Sequence, residues 1–219
     1  MSKTKNQIFQ ERRRSFLSKL NGKAAIMPGA SLVRHHADCE YPFRQESNFW
    51  YLTGFDEPDA IALFLSHKPI GERFILFVHP KDIVSEVWSG FRWGINGAEE
   101  VFNADKAHPI SEFEKELPNY LIGADEIIFS VGKNPIVENL VLNFWAKQLD
   151  NQARFGEAPK AIKSPGIYLN QMRLIKSKYE IERMREACQI SAEAHELVRL
   201  NLLNKKNERH IQGLIEGFF

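Results

Sequence analysis

Apolar residues recur along this chain in two rhythms. Phe9, Phe16, Leu17 and Leu20 fall at helical spacing within the segment from Thr4 to Leu20. Thr4 with Gln7 three residues later is a capping-box pattern, and Asn21-Gly22 supplies a stop, so the spacing predicts a helix from about residue 5 to residue 20. The second rhythm is a set of short apolar runs: Ala24 to Met27, Ala60 to Leu65, Phe74 to Val78 and Ile127 to Val131. Each is bounded by Pro, Gly or charged residues, as in strands buried on both faces. Two further helix starts lie among them. Ser111 with Glu114 reads as a capping box, and Asn134-Pro135 as an N-cap followed by proline at the first helical position. The latter helix runs through Val137, Leu140, Val141 and Phe144 to about Leu149. Helices and strands alternating in this way predict an α/β class, with helices packed on a central sheet.

From Asp150 to Ser177 the chain holds Pro159, Pro165 and Gly166 and no sustained period, which reads as an irregular passage into a boundary. Ser177 and Glu180 then form another capping box. Ile181, Met184, Cys188, Ser191, His195, Val198 and Leu202 follow at alternating spacings of three and four, which predicts a long amphipathic helix to near Asn204 with His195 on its stripe as a core or edge residue. A shorter pattern of His210, Ile211, Leu214 and Ile215 precedes Phe218-Phe219. Such a helix pair leaves apolar surface uncovered, and the expectation is a missing partner or missing chain.

The 219 residues suffice for one large domain, or one domain and part of another. With 43% hydrophobic and 26% charged residues the composition is that of an ordinary globular protein. Lys and Arg number 29 against 28 for Asp and Glu, a balance that gives no global field for nucleic acid or anionic lipid. The one dense basic run, Arg12-Arg13-Arg14, is expected to be a solvated helix face. Lys3 and Lys5 are not followed by a signal-peptide core, and no segment approaches membrane-spanning length, so a cytoplasmic protein is expected. Cys39 and Cys188 lack metal-type spacing and read as free thiols, one in a polar loop and one in a helix.

Two segments concentrate chemistry. Asp38-Cys39-Glu40-Tyr41-Pro42-Phe43-Arg44-Gln45-Glu46-Ser47-Asn48-Phe49-Trp50-Tyr51-Leu52-Thr53-Gly54 sets acids and an arginine among aromatics. It reads either as a binding segment or as a loop tied down by Arg44 and Glu46 while Phe49, Trp50 and Tyr51 fill core. Glu86-Val87-Trp88-Ser89-Gly90-Phe91-Arg92-Trp93-Gly94 pairs aromatic and basic side chains between glycines, a composition shared by binding surfaces and by loops around a buried tryptophan. No nucleophile elbow, Walker loop or dinucleotide glycine fingerprint occurs. His35 and His36 are adjacent, near Asp38 and Glu40, and show no recognisable metal-site spacing.

Together with Met172-Arg173-Leu174-Ile175-Lys176-Ser177-Lys178-Tyr179-Glu180-Ile181, these segments resemble, in order, the aminopeptidase P branch of the creatinase and methionine-aminopeptidase superfamily. The resemblance implies a mixed sheet of ribonuclease H-like type in an N-terminal domain over residues 1–173. Residues 174–219 would be the incomplete start of a pita-bread catalytic domain. It implies a metal-dependent enzyme that removes the N-terminal residue preceding proline with two manganese-type ions, held by two aspartates, one histidine and two glutamates. Those ligands lie downstream of the Lys176-Ser177 helix in the family, so no metal ligand is expected within this sequence, and the chain is expected to be an inactive fragment by itself.

In oligomeric relatives the N-terminal domain reaches a neighbour's substrate entrance, so the resemblance makes Trp88 and Asp38 candidates for contact with peptide or subunit. Arg154 is a third candidate, with a less fixed alignment. The implied partners are Xaa-Pro peptides and further copies of the chain. Two alternatives are a free-standing binding or oligomerisation module and a fragment of a prolidase. The pairing of Phe49-Trp50-Tyr51-Leu52-Thr53-Gly54 with Glu86, Trp88, Gly90 and Arg92 favours the aminopeptidase over the prolidase.

Overall fold

The apolar runs assemble into a six-stranded mixed sheet ordered β6-β5-β4-β1-β7-β8. The structure, a computed structural model, describes residues 4–155, 158–204 and 207–219, with backbone alone at 153–155 and 204. In chain order the elements are α1 (Lys5–Leu20), β1 (Ala24–Pro28), β2 (Arg34–His36), β3 (Cys39–Glu40), α2 (Ser47–Thr53), β4 (Ile61–Leu65), β5 (Phe74–Val78) and α3 (Ile83–Ser89). Then follow α4 (Gly94–Glu100), β6 (Lys106–Pro109), α5 (Phe113–Leu121), β7 (Ile127–Ile128), α6 (Pro135–Phe155), β8 (Ile162–Lys163), α7 (Gly166–Leu174), α8 (Lys178–Asn201) and α9 (Glu208–Phe218). The chain divides into two compact units, Met1–Asn170 and Gln171–Phe219.

In the first unit β1 pairs antiparallel with β4, and β4 with β5, while β6, β7 and β8 join in parallel. Every residue of β4 and β5 is buried, as continuous apolar strands between two helical layers must be. Alternation divides them between the layers. Ile26, Leu63, Ile75 and Phe77 pack with Phe113, Leu117 and Leu121 of α5 and with Val137, Val141 and Phe144 of α6. Phe64, from an intervening position, meets Phe16 of α1 edge-on at 5.4 Å. A two-stranded hairpin, β2–β3, stands apart from this sheet.

The basic run departs from expectation. Arg12 and Arg13 are buried, and Arg14 is exposed. Arg12 donates to the Tyr51 carbonyl at 3.2 Å, and Arg13 to those of Leu52 at 3.1 Å and Phe102 at 3.0 Å. Their guanidinium carbons lie over aromatic faces, Arg12 at 4.1 Å from the Tyr51 centroid and Arg13 at 4.4 Å from that of Phe74. Two adjacent cations can be buried here because they satisfy carbonyls at the C-terminus of α2, where the helix has no amide donors left and favours positive charge. Gly54 closes the same helix with φ of 70°, and a Cβ there would meet the Phe9 ring at 2.5 Å.

Other differences have local causes. Ser111 does not cap a helix, because Ile110–Glu112 form a 3-10 turn directly after β6, which places Ser111 inside the turn. The run from Ile127 keeps strand geometry only to Ile128. The segment after residue 150 is more regular than its prolines suggest. α6 continues to Phe155, β8 adds to the sheet edge, and α7 starts directly after Pro165.

In the second unit both caps of the α8 capping box form, between Ser177 and Glu180, and Asn207 caps α9. Met184 and Ile190 are exposed, as is His195, whose Nδ1 lies 2.7 Å from the Ser191 carbonyl. Cys39 and Cys188 are free and exposed, with Cys39 in β3. No described helix is long and apolar enough to cross a membrane.

Arg13→Met leaves one buried and one part-buried carbonyl without their donor and is expected to cost about 2–4 kcal/mol of stability. Arg14→Gln, one residue away, should stay within about 0.5 kcal/mol. Equal effects in chemical denaturation would contradict the buried-arginine account.

Candidate functional site

The segment from Asp38 to Gly54 folds as a hairpin and a short helix. Asp38 is exposed at the turn between β2 and β3, after Ala37 at φ of 46°. Tyr41 returns along the hairpin, its amide on the Val33 carbonyl at 2.9 Å and its ring edge-on to His35 at 4.5 Å. Glu46 caps α2 by accepting from the Phe49 amide at 2.7 Å. Phe49 and Tyr51 are buried, whereas Trp50 is part-exposed and meets Phe9 edge-on at 5.3 Å, so it fills core only along one edge.

Gln45, rather than Arg44, does the tying. Its Oε1 accepts from the amides of Ala30 at 2.6 Å and Glu46 at 2.9 Å. Its Nε2 donates to the carbonyls of Phe55 at 3.3 Å and Glu57 at 2.8 Å. One side-chain amide thus holds three stretches of backbone together. Arg44 is exposed.

Glu57 carries the connection onward to the second segment. Its Oε1 accepts from the Trp93 amide at 2.5 Å, while its Oε2 is buried with no hydrogen-bond partner among the described residues. Burial pushes the Glu57 carboxyl above the ordinary carboxylate range, against the opposing pull of the Trp93 amide, and the nearby Asp56 and Glu86 push the same way. Beside it an aromatic row runs from Phe91 to Trp93 at 5.0 Å, to Phe102 at 5.4 Å and to Phe55 at 4.9 Å.

This framework presents α3. Asp82 caps that helix by accepting from the amides of Val84 and Ser85 and from the Ser85 hydroxyl, which holds its carboxyl below the usual range. Glu86 accepts from the Arg92 amide at 3.1 Å, and Gly90, at φ of 83°, turns the chain back. No residue of α3 is buried. Ile83, Val84, Val87 and Phe91 face solvent, and Trp88 is 89% exposed. An apolar group of this size on a helix held at both ends has the composition of an interaction surface.

Trp88 and Asp38 thus lie on separate elements, and no hydrogen bond or ring contact among the described residues joins them. Arg154 is on the last turn of α6, and its side chain falls outside the described residues. His36 sits opposite Cys39 in the hairpin. Among the described residues no group of three or more His, Cys, Asp or Glu side chains could hold a metal ion. Gln45 and Glu57 are the polar residues that sequence reading missed. Gln45 stood inside the first motif unassigned, and the signal for Glu57 was only an acid next to a Pro-Asp turn.

Fold and site together define an α/β domain that displays an aromatic helix. Residues 9–129 match the family model for the aminopeptidase P N-terminal domain. Xaa-Pro aminopeptidase of Escherichia coli is 32% identical over 220 residues, covering 100% of this chain and 50% of its own length. That of Haemophilus influenzae is 33% identical, covering 89% of this chain and 43% of its own. Among solved structures, a variant of Escherichia coli aminopeptidase P superposes with a TM-score of 0.88 at 31% identity, covering 100% of this chain and 50% of that one. Pseudomonas aeruginosa aminopeptidase PepP gives 0.88 at 28% identity, with 100% and 49% covered. The chain belongs to the aminopeptidase P family of Xaa-Pro aminopeptidases, and it spans about half the length of the curated relatives it matches.

The folded protein favours protonated Glu57 more than the unfolded chain does, so this group's contribution to stability grows as pH falls through its raised pKa toward the ordinary 4.5. Glu57→Gln keeps an acceptor for the Trp93 amide and removes the titration. The difference in Tm between wild type and variant is therefore expected to move in favour of wild type on acidification from neutral pH, and a flat difference would contradict the raised pKa. Glu57→Ala, which strands the Trp93 amide, is expected to cost about 1–3 kcal/mol.

Proposed function

We propose that this chain is the N-terminal, non-catalytic portion of a manganese-dependent Xaa-Pro aminopeptidase, with roles in oligomerisation and in control of substrate access. In this reading residues 1–173 form the access domain and residues 174–219 begin the metallopeptidase domain. The enzyme is cytoplasmic, and its substrates are peptides with proline in second position. The family's two metal ions belong to residues outside this chain. Consistent with that division, one solved relative is a zinc-substituted Escherichia coli aminopeptidase P in complex with product, and this chain covers 50% of it.

The observation that carries the reading is Trp88. A tryptophan 89% exposed on a helix with no buried residue contributes little to this unit's own core, yet caps and backbone clasps hold that helix in place. Such an anchor suits a neighbouring subunit's surface, where tryptophan side chains often dominate binding. Asp38 would act beside it, either on the neighbour or on a peptide amine, and Arg154 stays a third contact candidate.

Trp88→Ala should leave the thermal unfolding of the chain unchanged, because the side chain is already in water. It should weaken self-association by about tenfold or more in sedimentation velocity, the usual effect of losing an interfacial tryptophan anchor. Identical sedimentation of the two proteins at every concentration would contradict the role of this surface.

A further inference from the structure

On the α1 side of the sheet a cleft of about 720 Å³ opens between that helix and the β4–β5 connection, a volume in the range of small-molecule sites. Arg13, Arg14 and Arg73 line it, with Asp105 as its one acidic side chain among the described residues. In a chain whose charges otherwise nearly cancel, that is a local positive surplus.

Asp105 offsets one of the three positive charges and leaves a surplus. Its Oδ2 is already committed to the backbone, accepting from the amides of Arg73 at 2.7 Å and Phe74 at 2.9 Å. Arg13 points its donors at the carbonyls of Leu52 and Phe102. Its pKa is lowered to about 10, chiefly by burial and further by the adjacent charge of Arg14, with Asp105 pulling the other way. An anion in the cleft would offset the repulsion between the neighbouring guanidinium charges.

The other two arginines are placed to meet one. Arg73 donates through Nε to the Lys68 carbonyl at 2.8 Å, which fixes the plane of its guanidinium. Arg14 is exposed at the cleft. Planar guanidinium groups match the oxygens of phosphate-type anions with paired hydrogen bonds, and a group already oriented loses less entropy on binding. The apolar part of the wall includes Leu17 and Ile70, the latter 88% exposed.

We propose that this cleft is a binding site for a small multivalent anion of the phosphate class, held directly by Arg14 and Arg73 and favoured electrostatically by Arg13. Occupancy would couple to the fold, because Arg13 is one of the two arginines that join α1 to the end of α2.

The test is thermal unfolding of the 219-residue chain in pyrophosphate against sodium chloride at matched ionic strength. A ligand that binds only the folded state raises Tm in a saturable way. The expected result is a rise with pyrophosphate beyond that with chloride. Arg14→Gln should weaken the apparent affinity by about tenfold or more, as for loss of a charge-assisted contact. R14Q/R73Q should abolish the excess shift, and Lys133→Gln, an exposed cation away from the cleft, should leave it intact. A nucleoside diphosphate run in parallel identifies the source: tighter binding than pyrophosphate assigns the apolar wall to an organic body, and equal binding assigns the site to the inorganic anion. No excess over chloride in wild type, or an undiminished excess in R14Q/R73Q, would overturn the proposal. The baseline Tm of R14Q in chloride, expected to match wild type, separates lost binding from lost folding.

Discussion

Tyr51 and Leu52 lie in the last turn of α2, where carbonyls have no helical amide to receive, and the guanidinium groups of Arg12 and Arg13 reach them from α1. Burying two neighbouring cations is costly by itself. The cost is offset because each side chain satisfies backbone acceptors, lies at the favourable end of a helix dipole and covers an aromatic face. Arg13 also takes the Phe102 carbonyl, so one side chain pins α1, the end of α2 and the loop after α4 to a common point. Replacing it by an apolar residue would fill the space but strand two carbonyls at once.

From that point the arrangement of the surface follows. Phe102 packs on both Phe55 and Trp93, and Trp93 is held through its amide by Glu57, whose own carbonyl is held by Gln45. The polar contacts and the aromatic row therefore form a continuous path between the hairpin segment and the segment that carries α3. A helix with no buried side chain has almost no hydrophobic reason to stay where it is. Caps at its ends and the Glu57 clasp supply the constraint instead, so that Trp88 can remain in water and in place. Under the proposed contact role, an anchor already ordered would lose less entropy on meeting a partner.

Much of this fold was legible in the chain because periodicity reports burial. The α1 face, the buried strands β4 and β5 and the capping box of α8 follow from spacing alone. What was not legible depends on distant partners. Arg12 and Arg13 lie three and four residues after Phe9 and before Phe16, on the buried stripe itself. That position could have exposed the error of reading them as solvated, but the carbonyls that satisfy them come from residues some forty positions and more away. Glu57 is similar, since nothing local distinguishes a carboxylate that will cap a remote amide. Ser111 failed as a cap because β6 leads straight into a 3-10 turn, and turn geometry overrides a four-residue pattern. In the candidate site, Trp88 was named from its motif, whereas the framework that holds it came only from the structure.

The family assignment rests on the whole chain, whereas the non-catalytic role is the proposal that the exposed Trp88 helix motivates. The most direct test of the non-catalytic account is release of the N-terminal residue from an Xaa-Pro-Xaa peptide by the purified chain with added manganese, with bound metal determined on the same sample. The account predicts no turnover and no stoichiometric metal. Metal-dependent turnover would contradict it and would turn attention to Asp38, Glu40 and the paired histidines of the β2–β3 hairpin.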